Sequence, residues 1–244
     1  MGAGVFLVTG GSRGIGEAIA VAAALQGYEV VLTYAHDEGS AQAVVGRITS
    51  AGGKAVAVQA NTGHEADIHR VFAAVDAVGP LAVLVYNGGI TGAHSPLAEA
   101  TTETIDEVLA VNLRGAILCS REAVRRMSTR LAGKGGAIVL ISSRAAFYGS
   151  PAEYVWYAAS KGGVDSLTNG LAREVAAEGI RVNAISPGPI ITGMHRPGRL
   201  EIGAKRAPMQ RAGTAEEVAE AVMFLASDAA SYVTGANLAV AGGL

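Results

Sequence analysis

The sequence predicts an α/β fold in which helices cover both faces of a parallel sheet, and three observations carry that expectation. Short β-branched runs alternate with Ala-rich segments along most of the chain, the pattern of successive βαβ units. A glycine-rich turn, Thr9-Gly10-Gly11-Ser12-Arg13-Gly14-Ile15-Gly16, joins the first run to the first Ala-rich segment. Half of the 244 residues are hydrophobic and 33 are glycine, which suits one large core with many tight turns. No shift in composition and no internal repeat divides the chain, so residues 1–244 read as one domain.

The elements follow in order. Val5 to Thr9, Glu29 to Tyr34, Ala55 to Gln59, Ala82 to Tyr86, Ala137 to Ser142 and Arg181 to Ile185 read as strands buried on both faces. Between them, residues 14–26, 38–51, 64–78, 102–130 and 155–178 are long enough for helices. Ala51-Gly52-Gly53 and Gly79-Pro80 stop two of these before the next strand. Thr214-x-x-Glu217 is a capping box that opens a further helix to about Ala226, and Asn237 to Val240 forms a short last strand. Residues 187–213 depart from the rhythm, with Pro187, Pro189, Pro197 and Pro208, five glycines and little periodicity. A long irregular segment in a compact chain is usually functional, so 189–212 reads as a lid over a site.

Composition excludes several function classes. Lys plus Arg total 19 against 21 Asp plus Glu, a net charge of −2, which offers no basic excess for nucleic acid. High hydrophobicity with low net charge argues against disorder. Cys119 stands alone, so neither an internal disulfide nor a four-cysteine zinc site is available; it reads as a packed helix residue. His64 and His69 do not share a helix face, and the five histidines give no metal pattern. With no signal-like N-terminus and no apolar stretch of membrane-spanning length, the chain is expected to be a cytoplasmic protein without a membrane partner.

Glycines at the first βα junction let the backbone turn sharply and let a phosphate approach the N-terminus of the helix. Gly10, Ser12, Arg13, Gly14, Ile15 and Gly16 are the candidate contacts. Gly10-x-Ser12-x-Gly14 also fits the nucleophile elbow of a hydrolase, but that elbow follows several strands, and His94 and His195, which could be called on, lie in no recognisable triad context. The second strand ends Thr33-Tyr34-Ala35-His36, without the acid that grips the ribose hydroxyls in NAD sites. Arg13, with His36 and Tyr34 nearby, instead suits a 2′-phosphate, which favours NADP and leaves NAD open because Ala35 supplies no second arginine.

Tyr157-Ala-Ala-Ser-Lys161 sets a phenol and an ammonium on one helical face. A nearby cation favours phenolate and lowers a tyrosine pKa from its usual value of about 10, so Tyr157 suits acid–base work with Lys161 as its tuner. Ser142-Ser143 closes the fifth strand, at the sheet edge where α/β proteins bind ligands.

Together these pieces resemble the short-chain dehydrogenases/reductases over essentially the whole chain. The resemblance is carried by Thr9-Gly10-x-x-x-Gly14-x-Gly16, Asn87-Gly88-Gly89-Ile90, Val111-Asn112-Leu113, Ser143 with Tyr157-x-x-x-Lys161, Arg181-Val182-Asn183 and Pro187-Gly188-Pro189-Ile190-Ile191-Thr192. It implies a doubly wound, seven-stranded Rossmann sheet, a homotetramer, and the catalytic set Asn112, Ser143, Tyr157 and Lys161. In that assignment Ser143 holds the substrate carbonyl, Tyr157 protonates it, Lys161 holds the nicotinamide ribose, and Asn112 binds a water that relays protons. Cofactor contacts would add Asn61, Asn87 and Gly88, then Pro187, Gly188, Ile190 and Thr192 around the nicotinamide.

The chain departs from the family pattern at Tyr86, where the usual motif has asparagine, and at Asn61, where it has an acid near the adenine. The spacing from Ser143 to Tyr157 is one residue longer than usual, which puts an extra residue near Glu153-Tyr154. The expected activity is NADP(H)-dependent hydride transfer to a small-molecule carbonyl, resembling 3-oxoacyl-(acyl-carrier-protein) reductases. A sugar or polyol dehydrogenase is the alternative, and a nucleotide-sensing binding module the non-enzymatic one. The basic lid residues Arg196, Arg199, Lys205, Arg206 and Arg211 would suit an anionic thioester substrate.

Overall fold

The computed structural model describes residues 4–193 and 198–244. Its strands are β1 (Val5–Val8), β2 (Glu29–Tyr34), β3 (Lys54–Gln59), β4 (Leu81–Tyr86), β5 (Gly136–Ile141), β6 (Ile180–Pro187) and β7 (Asn237–Val240). They form a 7-stranded sheet in the order β3-β2-β1-β4-β5-β6-β7, with every pairing parallel. The winding reverses between β1 and β4, so a crevice opens beyond the C-terminal ends of those two strands. The helices are α1 (Gly14–Leu25), α2 (Glu38–Ser50), α3 (Glu65–Val78), α4 (Thr102–Leu109), α5 (Gly115–Met127), α6 (Ala145–Tyr148), α7 (Val155–Val175), α8 (Arg199–Arg206) and α9 (Ala215–Ala226).

Side chains of β1 alternate between two cores. Phe6 and Val8 meet Ile19 and Ala23 of α1, Val44 and Ile48 of α2, and Val218 and Val222 of α9. Val5 and Leu7 face the opposite core, with Ile68 and Phe72 of α3, Cys119 and Met127 of α5 and Val164 of α7. Both faces being covered, β1 carries no polar alternation; truncating Phe6 or Leu7 to alanine would cost about 2–5 kcal/mol. The edge strand β3 differs from the expected buried strand: no residue in it is fully buried.

Three other expectations need correcting. The helix expected over 102–130 is interrupted by a π turn at Ala110–Arg114 and ends at Met127, where Ser128 accepts from the Arg130 N–H in a separate 3-10 turn. A short helix, α6, follows Ser143 and stops at Gly149 in left-handed backbone (φ 78), too short for any periodicity to announce it. The segment after β6 is not irregular throughout: Ile190 pairs with Gly213, and α8 lies between them. Residues 194–197, in the middle of the expected lid, lie outside the described residues, and with them Arg196. The capping box on α9 is present in both directions, Thr214 Oγ1 accepting from the Glu217 N–H and the Glu217 carboxylate accepting from the Thr214 N–H.

Candidate active site

The crevice is built on the end of β1. Thr9 is fully buried, and its Oγ1 accepts from the N–H groups of Asn87 (3.0 Å) and Gly88 (2.9 Å) at the end of β4. In return the Asn87 amide donates to the carbonyls of Thr9 (3.1 Å) and Gly10 (3.0 Å). Gly10 N–H donates to Thr33 Oγ1 at 3.0 Å, which fixes the turn on β2 as well. Gly10 and Gly14 adopt left-handed backbone, with φ 63 and 55, where a side chain would be strained. A Cβ on Gly16 would lie 2.1 Å from the Gly10 carbonyl oxygen and 2.6 Å from Asn87 Nδ2, so only glycine lets α1 start this close to the strand. Arg13 flanks α1 without a side-chain cap, which leaves the first helical N–H groups turned toward an anion. The turn therefore fits a cofactor phosphate.

Ser12 is half-buried and Arg13 exposed, while Ile15 packs against the core. Tyr34 is built into the core and leaves His36, which is exposed, at the end of β2. The acid that follows, Asp37, is taken up as the cap of α2, accepting from Ser40 N (2.9 Å) and Ser40 Oγ (2.6 Å). Those bonds hold its carboxyl below the usual range, with the charge of Arg13 assisting. Asn61 shapes its own loop: its Oδ1 accepts from the Gly63 N–H at 2.9 Å, and its N–H donates to Asp67. Across the crevice, Gly188 N–H bonds Val240 O at 3.0 Å beyond Pro187, and Ile190 is buried. A Cβ on Gly14 would come within 3.3 Å of Thr192 Cγ2, so the segment after β6 leans on the glycine turn.

Tyr157 and Lys161 are buried on α7, beside Ser143 at the end of β5. Burial raises the Tyr157 phenol above the ordinary tyrosine value, while a hydrogen bond with Ser143 and the charge of Arg199 pull it back. Ser143 Oγ accepts from the Ala145 N–H at 3.1 Å. Burial pushes Lys161 down to about 8. Its Nζ donates to the Ile141 carbonyl at 2.7 Å and stands 5.8 Å from the Tyr157 ring centroid. Arg199, which the sequence did not single out as a partner of Tyr157, adds a positive charge that pulls the phenol down. Asn112 lies in the π turn, fully buried; Oδ1 accepts from Ile90 N–H (2.9 Å), and Nδ2 donates to Ile90 O (2.9 Å) and Ser160 Oγ (3.0 Å). A Cβ on Gly89 would sit 3.3 Å from Lys161 Nζ and 3.5 Å from Asn112 Oδ1, so both groups border the same small space.

Sequence reasoning missed the wall around Tyr157. The Tyr154 ring meets Tyr157 edge-on at 5.3 Å and His94 at 4.7 Å. Arg199 of α8 stands 5.0 Å over Tyr154 and pairs bidentately with Glu153, at 3.1 and 2.6 Å. Only the extra residue in the Ser143–Tyr157 spacing hinted at this wall; nothing local to Arg199 announces a partner far back in the chain.

Fold and site together define a nicotinamide-dependent oxidoreductase that acts on CH–OH groups. A family model described as enoyl-(acyl carrier protein) reductase matches residues 10–244. The chain is 50% identical over 244 residues to the uncharacterized oxidoreductase YgfF of Escherichia coli, covering 98% of this chain and 99% of that protein. It is 40% identical over 242 residues to a 3-oxoacyl-(acyl-carrier-protein) reductase of Synechocystis (98% of this chain, 96% of the relative). An L-rhamnose 1-dehydrogenase (NAD(P)(+)) of Sphingomonas is 38% identical over 245 residues, covering 98% and 94%. A Burkholderia cenocepacia short chain dehydrogenase crystallised with NADP superposes with a TM-score of 0.93 at 36% identity, over 99% of this chain and 98% of that one. The chain belongs to the short-chain dehydrogenase/reductase family.

Gly16→Ala is expected to weaken NADPH binding at least about 10-fold, because the added Cβ has to push the phosphate turn off the strand ends. Titration of cofactor fluorescence checks this; unchanged affinity would remove the turn from the binding site.

Proposed function

We propose that the protein reduces a small ketone or aldehyde with NADPH, in the manner of 3-oxoacyl-(acyl-carrier-protein) reductases. The observation that carries the reading is the buried Tyr157 phenol beside the half-buried Ser143 hydroxyl, at the same strand ends as the glycine turn. Nicotinamide, when bound, supplies the hydride to the carbonyl carbon. Ser143 Oγ already accepts a backbone N–H, and its proton, which faces Tyr157 in the free protein, would turn to the carbonyl oxygen of a bound substrate. Tyr157, kept protonated at neutral pH by its raised pKa, transfers its proton to that oxygen, and the alcohol is complete. Lys161 is charged below about 8 and borders the space at Gly89 together with Asn112 Oδ1, a route by which a proton could return to Tyr157. In the oxidative direction the same groups act in reverse.

The preference for NADPH rests on the end of β2. Asp37 is committed to capping α2, which leaves Arg13 and His36 as the exposed groups nearest a ribose 2′ position. The Burkholderia cenocepacia relative crystallised with NADP supports it.

One observation favours a second reading, a neutral sugar or polyol substrate. Of the basic residues expected to attract an anionic thioester, Arg199 is already neutralised by Glu153 and Arg211 by Glu217. The L-rhamnose 1-dehydrogenase relative agrees with that reading. We further propose a homotetramer in the cytoplasm. Ile117 on α5, Phe224 on α9 and Leu238 on β7 leave apolar side chains exposed for it.

Tyr157→Phe keeps the ring and removes the transferable proton, so kcat is expected to fall about 10²–10⁴-fold with cofactor affinity nearly intact. Retention of most activity would take Tyr157 out of the mechanism. In parallel titrations NADPH should bind more tightly than NADH, with the difference shrinking in Arg13→Ala. Tighter NADH binding that is insensitive to Arg13 would overturn the preference. Light scattering at micromolar concentration should give four times the chain mass, and a monomer would refute the assembly.

A further inference from the structure

Tyr86 stands where the family motif has asparagine, and its surroundings give it a use the catalytic set does not explain. In the π turn, the Gly115 N–H reaches back to Ala110 O rather than to Val111 O, the partner an α-helical register would give it. The Val111 carbonyl passed over in this way accepts a hydrogen bond from the Tyr86 hydroxyl. Tyr86 Oη in turn lies 2.9 Å from Thr62 Oγ1, so the fully buried phenol has partners on both sides. Thr62 belongs to the loop after β3, and Arg114 of the same π turn donates to that loop at Gly63 O, 2.9 Å. Gly115 completes the fit: a Cβ there would lie 2.3 Å from Tyr86 Oη and 2.7 Å from Thr62 O. Between Val111 and Leu113, Asn112 is aimed at Ile90, Ser160 and the space it shares with Lys161.

We propose that the Tyr86 hydroxyl is a positioning group for Asn112: by holding the carbonyl that the π turn releases, and tying it to the Thr62–Gly63 loop, it keeps the turn open and Asn112 aimed at the active site. The proposal rests on the role given to Asn112 under the proposed function. Without the hydroxyl, the half-buried Val111 carbonyl loses this partner, and the turn relaxes toward an α-register that rotates Asn112 away from Ile90.

The test is a double-mutant cycle of Tyr86→Phe and Asn112→Ala on carbonyl reduction, with folding checked by circular dichroism. Tyr86→Phe should lower kcat about 10-fold and leave both KM values within about 3-fold. In the Asn112→Ala background the same change should cost less than about 2-fold, because the residue it acts through is gone. A purely structural role would instead multiply the two losses. Gly115→Ala, which displaces the hydroxyl from the other side, should reproduce the Tyr86→Phe loss. Amide hydrogen exchange without ligand should speed up at residues 110–115 in Tyr86→Phe and stay unchanged in the second half of α7. Near-wild-type kcat in Tyr86→Phe, multiplicative losses, or unaltered exchange at 110–115 would overturn the proposal. If the wild-type protein reduces no carbonyl, the functional reading fails, and the exchange measurement decides the positioning role on its own.

Discussion

The reciprocal bonding between Thr9 and Asn87 holds the site together. β1 and β4 are neighbours in the sheet although three helices and two strands separate them in the chain, and their C-terminal ends must meet for a crevice to exist. Thr9 accepts from the backbone of β4's exit, and Asn87 returns two bonds to the exit of β1. Four hydrogen bonds, centred on the fully buried Thr9, fix the two loops that carry, on one side, the glycine turn and, on the other, the chain leading to Gly89 and Ile90. Gly16 has no room for a side chain because Asn87 and the Gly10 carbonyl fill the space a Cβ would need.

The proposed chemistry depends on burial acting in opposite senses on two neighbours. Desolvation disfavours charge, so it raises the Tyr157 phenol and lowers the Lys161 ammonium. The result is a protonated acid at neutral pH beside a base poised to exchange a proton near pH 8. Arg199 adds a tunable contribution, since it reaches Tyr157 from α8 through Tyr154 and is itself held by Glu153. The residues that set the acid's strength therefore come from two elements far apart in sequence.

That distance explains what the sequence could and could not reveal. The strand runs were readable because both faces of β1, β4 and β5 are covered, so Val, Ile and Leu appear without alternation. The glycine turn and Tyr157-x-x-x-Lys161 were readable because their chemistry is local to one junction and one helix face. β3 lost its expected burial by lying at the sheet edge, a property of strand order rather than of its own residues. The π turn at Ala110–Arg114 has no periodic signature, and the hydroxyl bonded to its released carbonyl, Tyr86, arrives from β4. Arg199 looked like a free surface cation for the same reason: its partner Glu153 precedes it by the whole of α7 and β6.

The central claim is that Tyr157 protonates a carbonyl while a nicotinamide delivers hydride. Carbonyl-dependent oxidation of NADPH, followed over a panel of ketones, aldehydes and aldoses as a function of pH, tests it most directly. The account predicts turnover with at least one carbonyl, and kcat/KM that falls as pH rises through about 8, where Lys161 gives up its charge. A complete absence of carbonyl-dependent oxidation with both NADPH and NADH, or a profile flat through that range, would contradict it.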